Sequence, residues 1–267
     1  GHGLYIGGIA GQYGGGSFNK VENCNIEGTS NSKNIGGAYG NTNNGIERNA
    51  VIDTNINVDG EITGGITGTM HSTNLTYSYT KNVNIIGTSR IGGIAGEEGE
   101  SSSIYVTYTN SNINGSKNSV GGLIGYLNNK NSSESNSNNF YYNAVYDTKL
   151  QAKSNVGGLI GEVNKELYIG MNSKIHSNFI HTDIVSEDIN TASLGIGNRE
   201  NQNQYLENAY YYKYSSINGK NPNKQNEIFI RENQYLEEND LKKKETYTEK
   251  LKWSGGNWNF EVLTNNK

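Results

Sequence analysis

With 267 residues, 33% hydrophobic and 18% charged, the chain is polar, yet its 35 Gly and 19 Tyr against one Pro are the reverse of a disordered composition. A net charge of −4 and a pI near 5.7 exclude the basic footprint of a nucleic-acid partner, since basic residues cluster only at Lys242-Lys243-Lys244. Cys24 is the single cysteine, which excludes an internal disulfide framework, and no run approaches the length of an apolar membrane span, so no membrane insertion is expected.

Gly1-His2-Gly3 lacks a charged stretch followed by an apolar one and runs straight into a repeat, so the chain reads as a piece of something longer. The repeated unit is Gly-Gly-hydrophobic-x-Gly, with its glycine pair at Gly7-Gly8, Gly36-Gly37, Gly64-Gly65, Gly92-Gly93, Gly121-Gly122 and Gly157-Gly158. First-glycine positions are separated by 29, 28, 28, 29 and 36 residues, and a worn copy follows at Ser193-Leu194-Gly195-Ile196-Gly197. Apolar residues such as Ile91 and Ile94 are three apart and cannot share a face of one flat strand, so each glycine pair is expected to form a corner. It would do so through positive φ or a bulge, and would also admit close approach of the neighbouring coil.

A strand precedes each unit. Ala50, Ile52, Thr54, Ile56 and Val58 alternate with more polar residues, and Ala144, Tyr146, Thr148, Leu150 and Ala152 repeat the pattern, a period of two with one buried face. Asn-Ala opens three strands, at Asn49-Ala50, Asn143-Ala144 and Asn208-Ala209. The fold class is therefore all-β: a parallel β-solenoid of about seven coils with a small C-terminal helical and aromatic cap. At a strand spacing of about 4.8 Å it makes a rod on the order of 35 Å long. The polar stretches 128–139 and 164–178 read as loops leaving one corner. Residues 1–214 form the solenoid and 215–267 the cap, with a helix over about 240–252 started by Asn239 or Asp240. Leu241, Tyr247, Leu251, Trp253, Trp258 and Phe260 would cover the last coil.

The units Gly121 to Gly125 and Gly157 to Gly161 resemble the GLUG repeat. The stretch Tyr247-Thr248-Glu249-Lys250-Leu251 followed by Trp258-Asn259-Phe260 resembles the segment that closes such arrays in Gram-positive surface metallopeptidases of the M26 immunoglobulin A1 protease group. That resemblance implies an extracellular module, secreted or at the bacterial surface, lying N-terminal to a zinc peptidase domain. It also implies adjacent domains of the same parent chain and a host immunoglobulin or other glycoprotein as partners. The family's His-Glu-x-x-His zinc helix is missing: none of His2, His71, His176 and His181 is followed by Glu or lies four residues from another, so no zinc ligand, cofactor or catalytic residue is carried over.

Other constellations are weak. His176 and His181, with Asp183 and Glu187, have the wrong spacing to share a strand face, and Glu97-Glu98-Gly99-Glu100 reads as a surface corner rather than a calcium loop. Asp147 and Asp183 both lie ten residues before a glycine unit, the only pair of carboxylates that adjacent coils would bring together as in a β-helical polysaccharide enzyme. Outer tyrosines (Tyr105, Tyr108, Tyr141, Tyr142, Tyr210 and Tyr212) could bind glycan or protein, as an adhesin would. Cys24 shares parity with Ile26 and is expected to be buried.

Overall fold

A computed structural model describes residues 3–99, 101–128, 138–164, 174–198, 206, 208–221 and 235–253. The expectations for Trp258, Phe260, Glu100 and most of the two polar loops lie outside these residues.

The chain winds as a parallel solenoid. Three sheets run along it, and the first stacks one short strand from each of seven successive coils: Tyr5–Gly7, Asn34–Gly36, Ile62–Gly64, Ile91–Gly92, Asn118–Gly121, Ser154–Gly157 and Ala192–Ser193. The second includes Tyr39–Glu47, Asn74–Thr76, Ala95–Glu98, Ser103–Tyr105, Asn139–Tyr141 and Lys174–His176, and the third Ala50–Ile52, Asn55–Val58, Tyr79–Gly87, Tyr108–Gly115, Ala144–Ala152, Phe179–Ser186 and Tyr210–Tyr212. Register is strict, with Gly7 opposite Gly36, Gly36 opposite Gly64, Gly92 opposite both Gly64 and Gly121, and Gly121 opposite Gly157. Inside run columns of fully buried side chains such as Ile35, Ile91, Val120 and Val156, each worth about 1.5–3 kcal/mol of transfer free energy.

Each glycine pair does stand at a corner, between the first sheet and the second. Of the expected reasons, close approach of the neighbouring coil holds and positive φ does not, because only Gly16 and Gly219 among the described glycines have positive φ. What the corner demands is the absence of a side chain. A Cβ on Gly122 would lie 2.1 Å from the Gly158 carbonyl oxygen of the next coil, and one on Gly121 would lie 1.9 Å from the Ile124 carbonyl oxygen. The unit's last glycine is equally confined: a Cβ on Gly125 would lie 2.3 Å from the Ile91 amide nitrogen, across the acute corner.

Positive φ belongs instead to other corners and to non-glycine residues. Phe18, Arg48, Tyr77, Val106, Tyr142, Ser177 and Asn208 form one such set, one per coil, with φ between 49° and 62°. The residue after each of the first six sets a second column whose side chains close the backbone: Asn19 N donates to Asn49 Oδ1 at 2.9 Å, Asn49 N to Ser78 Oγ at 3.0 Å, Thr107 N to Asn143 Oδ1 at 3.1 Å and Asn143 N to Asn178 Oδ1 at 3.1 Å. This explains the recurring Asn-Ala at Asn49 and Asn143. The third copy is out of register by one, since Tyr210 pairs with Phe179, which in turn pairs with Ala144.

Alternation does not run unbroken through the third-sheet strands. Asp53, Asn82 and Asp147 adopt φ of 47°, 52° and 44°, which breaks the ladder and reverses the facing of everything before them. Val51 and Val145 thus point inward with Thr54, Ile56, Thr148 and Leu150, whereas Ile52 and Tyr146 point out.

Two buried groups depart from the sequence reading. Glu97 and Glu98 are not a surface corner but part of the strand Ala95–Glu98, 7% and 0% exposed, with Glu98 in a column between Met70 and Leu127. Cys24 is half-buried rather than buried, and its thiol donates to the Glu22 carbonyl at 3.2 Å.

The cap also differs. The expected helix 240–252 is a four-residue α-turn, Glu238–Leu241, and a π-turn, Thr246–Lys250. Its N-cap is Glu237, whose amide donates to the Asp240 carboxylate at 3.1 Å. Leu241, Tyr247, Leu251 and Trp253 are buried, but against Tyr108, Ala144 and Phe179 on the outer flank of the third sheet, not across the end of the stack. Trp253 Nε1 donates to the Ser177 carbonyl at 2.6 Å and Tyr247 Oη to the Leu241 carbonyl at 2.8 Å. The third sheet itself continues past residue 214 through Ser216–Ile217 and Tyr235–Leu236.

Candidate binding cleft and aromatic ladder

Two surface features emerge from this register. The first is a ladder on the second sheet, where Glu47, Thr76, Tyr105, Tyr141 and His176 occupy one position in successive coils. Tyr105 and Tyr141 stack at 5.0 Å and 11°, and Tyr141 and His176 at 5.3 Å and 5°. Tyr77 meets Tyr105 edge-on at 6.5 Å, and the Arg48 guanidinium lies 5.0 Å from the Tyr77 ring centroid. Parallel in-register coils place equal side chains about 4.8 Å apart, the spacing at which rings stack, so a repeated aromatic becomes a continuous half-buried strip. Burial holds the Tyr105 and Tyr141 phenols above their ordinary range.

The second feature is a cleft of roughly 390 Å³ between the third sheet and the cap. Its floor is an outward column of Lys81, Asn110, Tyr146, His181 and Tyr212 on successive coils, where the reversals at Asn82 and Asp147 turn Lys81 and Tyr146 out to match their neighbours. Tyr108 flanks that floor, and Glu238 and Leu241 of the cap overhang it. His181 lies 5.2 Å edge-on from Tyr146 and 4.2 Å from Tyr212. Burial lowers the His181 pKa, against the opposing pull of Asp147 and Asp183, so the imidazole is neutral near pH 7, and its Nδ1 has no hydrogen-bond partner. The Asn110 side chain is committed to the scaffold: its Oδ1 accepts from Asn82 N at 3.1 Å and its Nδ2 donates to the Tyr146 carbonyl at 3.3 Å. Asp147 and Lys81, by contrast, form no ion pair among the described residues.

Asp147 and Asp183 are not register partners. Lys149 stands opposite Asp183, because the turn after Ser186 is two residues longer than the turn after Ala152 and counting back from the glycine unit misaligns the strands. Asp147 lines the cleft, whereas the Asp183 carboxylate accepts from Ser216 Oγ at 2.7 Å. His176 and His181 fall on different sheets, the former in the aromatic ladder and the latter in the cleft. Among the described residues no three His, Cys, Asp or Glu side chains gather into a metal-binding group.

Of the outer tyrosines, Tyr108 is buried under the cap, and Tyr105, Tyr141, Tyr142, Tyr210 and Tyr212 are half-buried. The sequence reading passed over Tyr146, Lys81 and Glu238 as binding residues and set His181 aside. A signal existed: Lys81, Asn110, Tyr146 and His181 each lie three residues after a member of the Ser78, Thr107, Asn143 and Asn178 corner column.

No protein-family model, curated protein or solved structure matches the chain, so its description rests on its own geometry, that of an all-β parallel solenoid.

Proposed function

We propose that the chain is a non-catalytic interaction module: a rigid spacer or docking solenoid of a secreted or cell-wall-attached bacterial protein. Its repeat and closing segment fit the N-terminal region of an immunoglobulin A1 protease-like zinc metallopeptidase. The observation that carries this reading is the stacked strip Tyr105, Tyr141 and His176, which offers a flat, rigid and amphipathic surface at low entropic cost. Coils locked in register hold that strip without a hinge, which suits a part that must keep a partner at a set distance from a neighbouring domain.

The test is binding of the purified chain to immobilised immunoglobulin A1 and other host glycoproteins, comparing wild type with the double variant Tyr105→Ser, Tyr141→Ser. Binding that falls at least about tenfold in the variant is expected, since two interface aromatics commonly contribute about 1–2 kcal/mol each. Equal binding by both would overturn the strip as the docking surface. The protease context is tested separately by the parent gene, which must encode a His-Glu-x-x-His motif after this segment.

A second reading, an adhesin that binds host glycan or protein with no peptidase attached, is favoured by the cleft under the cap.

A further inference from the structure

We infer that the cleft between the third sheet and the cap is a binding site for a neutral sugar, one or two pyranose rings of a glycan. This rests on the interaction-module reading and gives it a second, chemically distinct site. Four observations carry it.

The cleft is the size of a small-molecule site, about 390 Å³ against the ~300–1,000 Å³ of such sites. Its floor presents the half-buried rings of Tyr146 and Tyr212, flat surfaces on which the C–H face of a pyranose can lie. At one end of the floor stands an ammonium, Lys81, and beside its middle a carboxylate, Asp147, neither in an ion pair among the described residues. They lie two coils apart, about 10 Å at the backbone by the strand spacing. One accepts hydroxyl protons and the other donates, so together they match a ligand whose every polar group does both. The lining also gives a charged ligand no advantage. The charges of Lys81 and Asp147 offset each other, Glu238 is already paired with Lys242 at 2.9 Å, and the His181 ring is neutral, so no net charge is left to favour an ion.

The position also explains a feature of the fold. Asp147 has φ of 44°, a conformation that L residues adopt at a cost, and it turns Tyr146 outward onto the floor. Asn82 takes the same corner two coils earlier with φ of 52°, so an amide fits there in place of the carboxylate.

The experiment is ligand-observed NMR and calorimetry on the full chain with methyl β-galactoside, methyl β-glucoside and methyl N-acetyl-β-glucosaminide. Sialic acid and glucosamine serve as anionic and cationic controls. Extended arms carry the same sugars as a free polysaccharide fragment and as a glycopeptide, to separate a wall or capsule source from a host glycoprotein. At least one neutral sugar is expected to bind, with affinity falling about tenfold or more in Asp147→Asn, which keeps the left-handed corner, and in Tyr146→Ala. Tyr146→Phe retains most of the affinity if stacking dominates. Circular dichroism and melting of each variant, matched to wild type, keep the comparison clean, and Asp147→Asn decides the outcome if Tyr146→Ala fails to fold.

Sugar binding that is indifferent to Asp147→Asn and Lys81→Met overturns the assignment. So does the absence of any neutral-sugar binding at millimolar concentration, or preference for a charged control. In those cases immunoglobulin binding that still depends on Tyr105 and Tyr141 leaves the docking reading intact.

Discussion

Glu98 stands where the neighbouring coils place Met70 and Leu127, and burial pushes its carboxyl well above the usual carboxylate range, against a smaller opposing pull from the Ser102 backbone. One oxygen accepts from Asn138 Nδ2 at 3.2 Å, and the other, Oε1, has no partner. An unpaired buried carboxylate is far costlier than a protonated acid, so the folded chain keeps the proton. The unfolded chain loses it near the ordinary value of 4.5. Stability therefore falls as pH rises from that value toward the raised folded one, by about 1.4 kcal/mol for each pH unit inside the window. Glu98→Gln retains the acceptor for Asn138 and removes the titration. Thermal melts should show the variant matching wild type near pH 4 and exceeding it at pH 7, and an equal shift at both values would contradict this account. Nothing in the local sequence Glu97-Glu98-Gly99 distinguishes this environment from an exposed turn, because burial comes from the coils on either side.

At the scale of the element, the glycine corner and the cap show two different limits of pattern reading. The corner was legible as a corner because the Gly-Gly pair recurs, but its cause lies in the neighbouring coil: backbone atoms sit where a Cβ would be. Gly122→Ala would put a methyl 2.1 Å from the Gly158 carbonyl oxygen, so it should cost about 1–3 kcal/mol or more in chemical denaturation. Gly45 has open space around its Cβ position, so Gly45→Ala is the control and should change stability by less than about 0.5 kcal/mol. Similar losses at both positions would mean that glycine serves through chain flexibility rather than close approach. In the cap, helical periodicity identified the residues that become buried yet not the geometry that buries them. A segment this short is marginal as an isolated helix. Its shape is set by the need to seat Leu241, Tyr247, Leu251 and Trp253 together on Tyr108 and Phe179, and the π-turn, in which Leu251 N donates to the Thr246 carbonyl at 3.1 Å, accomplishes that.

Over the whole molecule, each coil contacts its neighbours, so stability is expected to be a sum of coil and interface terms that is largest in the middle. The first coil is the poorest covered: Leu4 is 51%, Ile9 43% and Phe18 74% exposed, while Ile91, Ile94, Val120 and Ile124 of the central coils are fully buried. Hydrogen exchange should therefore show the slowest amides in Ile91–Gly92 and Asn118–Gly121 and progressively faster exchange toward Tyr5–Gly7. Uniform protection along the rod would argue for a single cooperative unit instead.

The sequence by itself determined the solenoid, its seven parallel coils and its corners, because identical units can satisfy their backbone hydrogen bonds and bury their apolar faces only by stacking in register. Only the tertiary structure decided which way the third-sheet side chains face, since one left-handed residue at Asp53, Asn82 or Asp147 reverses parity and no composition signal marks it. The same reversal, with a turn longer by two residues, separated Asp147 from Asp183 and brought Tyr146, His181 and Tyr212 together beneath the cap. The cleft is thus a property of neighbouring coils and a folded-back segment, three stretches far apart in the chain that meet only once the stack is built.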